Sequence, residues 1–174
     1  MTGRRAALLA FLLAAAATPA AAQQWAPFQP GGAGFRVEFP GRPAINADNS
    51  FGTRYGRSVS VTATVETADG VAFYATYTAY PRGTASSEPD KVLDTVRIGR
   101  TAIGTLRAQQ RFQFDGHLAQ RDMVDWHRPR RLVIVSLDVT RGDWLYSIYC
   151  FAPPGLENSP AIQHFLASFA LLPQ

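Results

Sequence analysis

Between Thr105 and Phe151, apolar and polar residues alternate with period two through four segments separated by tight turns. Period two is the side-chain repeat of a β-strand. Short turns between consecutive strands force them to run antiparallel, so this stretch predicts a four-stranded meander. In Thr105–Phe114, Leu106, Ala108, Phe112 and Phe114 share one face. Asp115-Gly116 follows as a hairpin signal, because Gly accepts a positive φ and Asp tolerates one. His117–His127 is more mixed and ends at Arg128-Pro129-Arg130, since Pro cannot donate to a ladder. In Leu132–Val139, Val133, Val135, Leu137 and Val139 alternate. Leu132 and Ile134 on the other side predict burial on both faces. Arg141-Gly142-Asp143 turns the chain into Trp144–Phe151, which is rich in aromatic and β-branched residues.

The segments before the meander extend the sheet. Phe35–Phe39 alternates and stops at Pro40-Gly41. Ser58–Glu66 places Val59, Val61, Ala63 and Val65 on one face, and Asp69-Gly70 turns it back into Val71–Ala79. Residues 44–55, with Asn46, Asp48, Asn49, Ser50 and Gly52, read as a loop. Ser87 is placed to cap a helix with Pro89 in its first turn and Asp90 three residues on. Leu93, Val96 and Ile103 give that helix an apolar stripe. A last helix starts near Ser159-Pro160, with Ile162, Phe165, Leu166 and Phe169 on one face. The fold class expected is α+β: an antiparallel β-sheet of about six to seven strands with helices packed over it.

The N-terminus reads differently. Arg4 and Arg5 precede an apolar run over 6–17, and Ala20-Ala21-Ala22 fits a small-residue cleavage pattern. Residues 1–22 are therefore expected to be a secretory signal peptide cut between Ala22 and Gln23, followed by a flexible lead-in over 23–34 and a single domain over 35–174. Removing Arg4 and Arg5 lowers the formal net charge of +4 by two. The mature chain is then only mildly basic and is expected in the periplasm or secreted, with no nucleic-acid partner and no transmembrane helix. Its length allows roughly 70% of the unfolded surface to be buried without staples. Cys150 is the sole cysteine. It alternates in phase with Trp144, Tyr146 and Ile148 and reads as a small buried apolar residue rather than a reactive thiol.

Three short stretches carry a family resemblance. Gly34-Phe35-Arg36-Val37-Glu38-Phe39-Pro40 is similar to the opening strand of the PsbP-like fold family. Trp144-Leu145-Tyr146-Ser147-Ile148 resembles its last strand, and Phe165-Leu166-Ala167-Ser168-Phe169 its terminal helix. The order of strand, hairpin, helix, meander and helix resembles it too. The resemblance implies an antiparallel sheet with helices over it and, in function, an accessory subunit, a binding module or an exported bacterial protein without catalysis. It brings no shared active site, no cofactor and no photosystem docking residues to carry over.

The candidate chemistry clusters on the second meander strand. A three-residue loop at Asp115-Gly116 would set Gln110 opposite Asp122, Phe114 opposite Leu118 and Arg107 opposite Asp125. That register keeps Phe112, Phe114, Leu118, Val124 and Trp126 together. Gln110 and Asp122 then form a polar pair within an apolar face, either satisfying each other or flooring a small ligand pocket. His117 and His127 would lie about 33 Å apart at ~3.3 Å per residue and cannot share an ion. Asp125 and His127 could, although Arg128, Arg130 and Arg131 would repel a cation. Those three arginines are a candidate partner surface for an acidic protein or anionic lipid headgroups at the membrane periphery. Asp115 and His117 flank a turn glycine and read as turn chemistry. Tyr74 and Tyr80, beside Thr76 and Thr78, are either a partner surface or cover for a second layer. The residues point to an exported, non-enzymatic binding or accessory domain of the bacterial envelope whose partner is a protein or small molecule. The alternative is an envelope enzyme or metal-binding protein using Asp122, Asp125 and His127.

Overall fold

The computed structural model describes residues 24–53, 56–127 and 129–173, with backbone alone at 48–53. The expected signal peptide, its cleavage point at Ala22 and Gln23, and Arg128 lie outside the described residues. In chain order the elements are β1 (Ala26–Phe28), β2 (Phe35–Phe39), β3 (Ala44–Thr53), β4 (Gly56–Glu66), β5 (Ala72–Ala79), α1 (Thr84–Ser87), α2 (Pro89–Thr101), β6 (Gly104–Phe114), β7 (His117–Trp126), β8 (Leu132–Arg141), β9 (Trp144–Ala152), α3 (Pro160–Ala167) and β10 (Ala170–Leu171). The architecture is α+β. One antiparallel seven-stranded sheet runs β3-β4-β5-β9-β8-β7-β6, and a three-stranded sheet runs β1-β2-β10.

Each face of the large sheet has its own cover. One face carries Phe73, Ala75, Val133, Val135, Leu137, Tyr146, Ile148 and Cys150. It packs against α3 and the small sheet through Phe28, Phe35, Phe39, Phe165 and Phe169. The other face receives α2, which lies over β6, β7 and β8 and buries Leu93. Strand β8 is buried from Leu132 to Thr140, so both of its faces are covered, as Leu132 and Ile134 predict. Cys150 is buried in the apolar core, and burial pushes its thiol up.

Several expectations change in the structure. Residues 44–53 are strand β3 rather than loop, an edge strand paired only with β4 and bulged between Asn46 and Asn49. Residues 26–28 of the expected lead-in form β1 against β2, and the Trp25 ring packs at a tilt against His164, centres 4.1 Å apart. Ser87 ends α1 instead of capping α2, whose cap position is held by Glu88. Ser159 does cap α3, accepting from the Ile162 N–H with Pro160 in the first turn.

The register of the β6–β7 hairpin is also corrected. Asp115 sits at φ 49° and Gly116 at φ 77°, the two-residue turn with positive φ at both centres. Phe114 therefore faces His117, and Gln109 rather than Gln110 faces Asp122. The one-residue shift sends Phe112 and Phe114 to the α3 side, and Leu118, Val124 and Trp126 to the α2 side. A bulge at Arg107 restores the phase of Leu106 opposite Val124. At the start of β6, a Cβ on Gly104 would come within 2.7 Å of Val124 Cγ1 and 2.8 Å of the Asp125 carbonyl oxygen. Glycine there lets α2 hand over directly into the sheet.

The connection into α1 is held from afar. Asp143, in the β8–β9 turn, accepts from the Gly83 N–H at 2.7 Å and from the Ser86 N–H and hydroxyl at 3.0 and 2.9 Å. Partial burial opposes its charge, but these bonds outweigh that and lower its pKa below 3.8. Asp143→Ala is expected to cost about 1–2 kcal/mol in urea denaturation, as loss of a helix cap does. A group with a depressed folded pKa stabilises above its unfolded value and loses that contribution as pH falls through the folded one. The deficit of the variant should therefore be full at neutral pH and shrink below pH 3.8.

Candidate functional site

Polar residues of the α2-side face line up across neighbouring strands. The paired positions Thr62, Thr76, Ser147, Asp138, Gln120 and Arg111 make one continuous row over six strands. Thr62 bonds Thr76 at 3.0 Å. In the flanking row, Ser60 bonds Thr78 at 2.6 Å. The Ser147 hydroxyl donates to Asp138 at 2.6 Å, and Arg111 donates to Gln120 at 3.0 Å. Six strands contribute to this row, so it exists only when the full register is in place.

Arg100, in the last turn of α2, descends into the row. Its guanidinium donates to both oxygens of Asp138, from Nη2 at 2.8 Å and from Nη1 in a shorter bond, and from Nη1 to Ser136 at 3.0 Å. Its face lies 5.3 Å from the centre of the Tyr149 ring. The Asp138 side chain is fully buried and that of Arg100 is 11% exposed. Burial alone would lower the Arg100 pKa, but the charge and hydrogen bond of Asp138 raise it. Asp122, also buried, sits 3.9 Å from Arg100 Nη1 and accepts from Gln120 Nε2 at 2.6 Å. Burial raises the Asp122 pKa, against the pull of Gln120, and Asp138 adds to the rise. Its second oxygen has no hydrogen-bond partner among the described residues.

Beside this network a cleft of about 350 Å³ opens between α2 and strands β5, β9 and β8. Val96 and Gly99 form its helix wall. Trp126, Ile134, Leu145 and Phe151 form its apolar wall, with Trp126 edge-on to Phe151 at 5.6 Å. Thr76, Thr78, Ser147, Tyr80 and Tyr149 supply hydroxyls, and Arg100 closes one end. Tyr149 bonds Thr76, and burial raises the pKa of its hydroxyl. Tyr74 stacks on Tyr149 at 4.9 Å with rings 2° from parallel. A largely apolar concavity with a few convergent polar groups is the usual form of a small-molecule site.

The sequence-derived candidates separate. Asp122 belongs to the buried network behind the cleft, whereas Gln110 is exposed and pairs with Arg121 on the opposite face. The expected Gln110–Asp122 pair is replaced by Gln109, which donates to Gln120 at 2.9 Å. Asp122, Asp125 and His127 are not gathered, because residues three apart on a strand point to opposite faces. Asp125 is instead paired with Arg107, which also holds Glu157 at 2.7 Å. His127 Nε2 contacts Thr105 Oγ1 at 3.0 Å. Arg130 and Arg131 are exposed after β7. Tyr80 lines the cleft, beside Thr76 and Thr78. Arg100 and Asp138 do not stand out in the sequence. Their signal is the polar series Ser136, Asp138, Thr140 in phase with each other inside an otherwise apolar strand.

No family model matches the chain, and no curated protein matches it in sequence. The fold does have a solved counterpart. The solution structure of cyanobacterial PsbP (CyanoP) from Synechocystis sp. PCC 6803 aligns with a TM-score of 0.55 and 9% identity, covering 88% of this chain and 96% of that one. A protein of unknown function from Pseudomonas aeruginosa aligns with a TM-score of 0.45 and 15% identity, covering 86% and 99%. The likeness to CyanoP is one of fold: the chain has a PsbP-like architecture. Among the described residues no helix is long and apolar enough to cross a membrane.

Proposed function

We propose that this protein is an exported, non-enzymatic binding domain of the bacterial cell envelope that holds a small ligand in the cleft between α2 and strands β5, β9 and β8. Export rests on Arg4, Arg5, the apolar run over 6–17 and the alanines ending at Ala22. One observation carries the binding reading: an aromatic-walled cavity of about 350 Å³ lined also by the hydroxyl-bearing Thr76, Thr78, Tyr80, Ser147 and Tyr149. The volume lies at the lower end of the ~300–1,000 Å³ typical of small-molecule sites. Binding suits the lining better than catalysis, because the one lining cation among the described residues is engaged by Asp138 and the sole cysteine lies in the core on the far side of the sheet. The accessory part of the reading rests on Arg130 and Arg131, exposed after β7.

Gly99 provides the test. It lines the cleft, and a Cβ there would meet nothing within 4 Å. Gly99→Leu should add bulk at the cleft while keeping or slightly raising stability, since glycine inside a helix costs roughly 0.5–1 kcal/mol. In a thermal-shift screen of small molecules, compounds that raise the melting temperature of the wild type should fail on Gly99→Leu. They should still act on an Arg130→Glu, Arg131→Glu variant. Compounds that stabilise Gly99→Leu equally, or an absence of any stabilising compound, would remove the cleft from the proposal.

A further inference from the structure

We infer that the cleft takes a neutral, flat aromatic ligand of one or two rings that carries a hydrogen-bond donor, an inference that rests on the cleft being the binding site. Among the described residues Arg100 is the only charged one lining the cavity, and its charge is already matched. Asp138 takes the guanidinium with both oxygens, and Asp122 stands 3.9 Å from Nη1. Arg97 also acts on Asp122, so two guanidinium groups stand against two buried carboxylates and leave no surplus of either sign for an incoming ion. An anionic ligand would lose its hydration and find no unmatched cation to replace it.

A cation fares no better. The side chains of Asp138 and Asp122 are fully buried, and neither lines the cavity, so a ligand ammonium group would find no carboxylate to pair with. The aromatic faces are also partly taken: Arg100 covers Tyr149, and Tyr74 stacks on it from the neighbouring strand. Both signs of charge are thus disfavoured, and a neutral ligand is what the electrostatics admit.

Shape and hydrogen bonding narrow the class. Trp126, Phe151, Ile134 and Leu145 on one side and Val96 on the other make apolar walls, which reward a flat apolar body rather than a polyhydroxylated one. On the polar side, the Ser147 hydrogen is committed to Asp138 Oδ1 at 2.6 Å. Its oxygen keeps lone pairs and can only accept from a ligand. A phenol-like hydroxyl on the ligand meets that demand, and its ring fills the slot.

The experiment uses the wild-type protein and three probes on the same naphthalene ring at pH 7: naphthol, which is neutral, naphthoate, an anion, and naphthylmethylamine, a cation. Glucose serves as a polyhydroxylated control. Dissociation constants are measured by calorimetry, with Gly99→Leu in parallel. Naphthol should bind at least about tenfold more tightly than either charged probe, the factor set by 1.4 kcal/mol of unmatched charge burial. Gly99→Leu should abolish its binding, and glucose should give no signal. If naphthoate, naphthylmethylamine or glucose binds as tightly as naphthol and Gly99→Leu removes that binding, the ligand class is overturned while the cleft stands. If no probe binds, or Gly99→Leu binds every probe as the wild type does, the class and the cleft are both overturned.

Discussion

Asp138→Ala is expected to destabilise the protein by about 3–5 kcal/mol, the cost of leaving a buried charge without its partner. The Asp138 side chain is fully covered and accepts four hydrogen bonds: two from Arg100, one from Ser136 at 3.2 Å and one from Ser147 at 2.6 Å. Its removal strands the guanidinium of Arg100 beneath α2, left with the neutral Ser136 hydroxyl at 3.0 Å and the Asp122 carboxylate at 3.9 Å. For a domain of this size the melting temperature should fall by roughly 10 °C, at ~2–4 °C per kcal/mol. The double variant Arg100→Met, Asp138→Leu should recover part of the loss, because it removes both members of the buried pair while Asp122 loses its cation and the Ser147 hydroxyl its acceptor. Urea denaturation of the two variants decides the matter. A single-mutant loss below ~1 kcal/mol would mean that solvent reaches Arg100, and a double variant no better than the single would mean that the cost lies in packing rather than charge.

The same network marks where the sequence stops being readable. Alternation located most of the large sheet, because a face that meets an apolar core must repeat every second residue. Strand β1 escaped because Pro27 and Pro30 read as lead-in, although proline is tolerated on an edge strand. Strand β3 escaped for a related reason: an edge strand paired on one side has little to bury, and Ile45 is 59% exposed. Helix α1 is short and held by Asp143, some sixty residues away in the sequence, so no local pattern announces it. The site shows the sharpest limit. Asp122 was recognisable as a polar residue out of place. Its neighbour differs by one position from the one expected, because Asp115-Gly116 closes a hairpin of two residues rather than three. A single-residue slip flips a strand face, which exchanges Gln110 for Gln109. Arg100 comes from a helix, and no strand period predicts which helical residue will meet Asp138.

Phe35→Ala is expected to cost about 3–5 kcal/mol as well, by a different route. Phe35 is fully buried at the meeting point of the two sheets and the C-terminal segment. Its ring lies 5.3 Å from Tyr146, 5.5 Å from Tyr77, 5.8 Å from Phe169 and 6.2 Å from Phe28. Truncation removes the apolar body of the side chain and leaves a cavity between layers that cannot both close on it. Because Phe35 packs on the α3 side of the large sheet and Asp138 points to the α2 side, the two losses should add within about 0.5 kcal/mol. Binding in the cleft, measured as the dissociation constant of naphthol well below the melting temperature, should stay within about twofold of wild type in Phe35→Ala. A tenfold loss of binding there, or strong non-additivity with Asp138→Ala, would mean that the two faces of the sheet are not independent. The cleft would then be shaped by the aromatic core beneath it, through β9, which carries Tyr146, Ile148 and Cys150 to one face and Leu145, Ser147 and Tyr149 to the other.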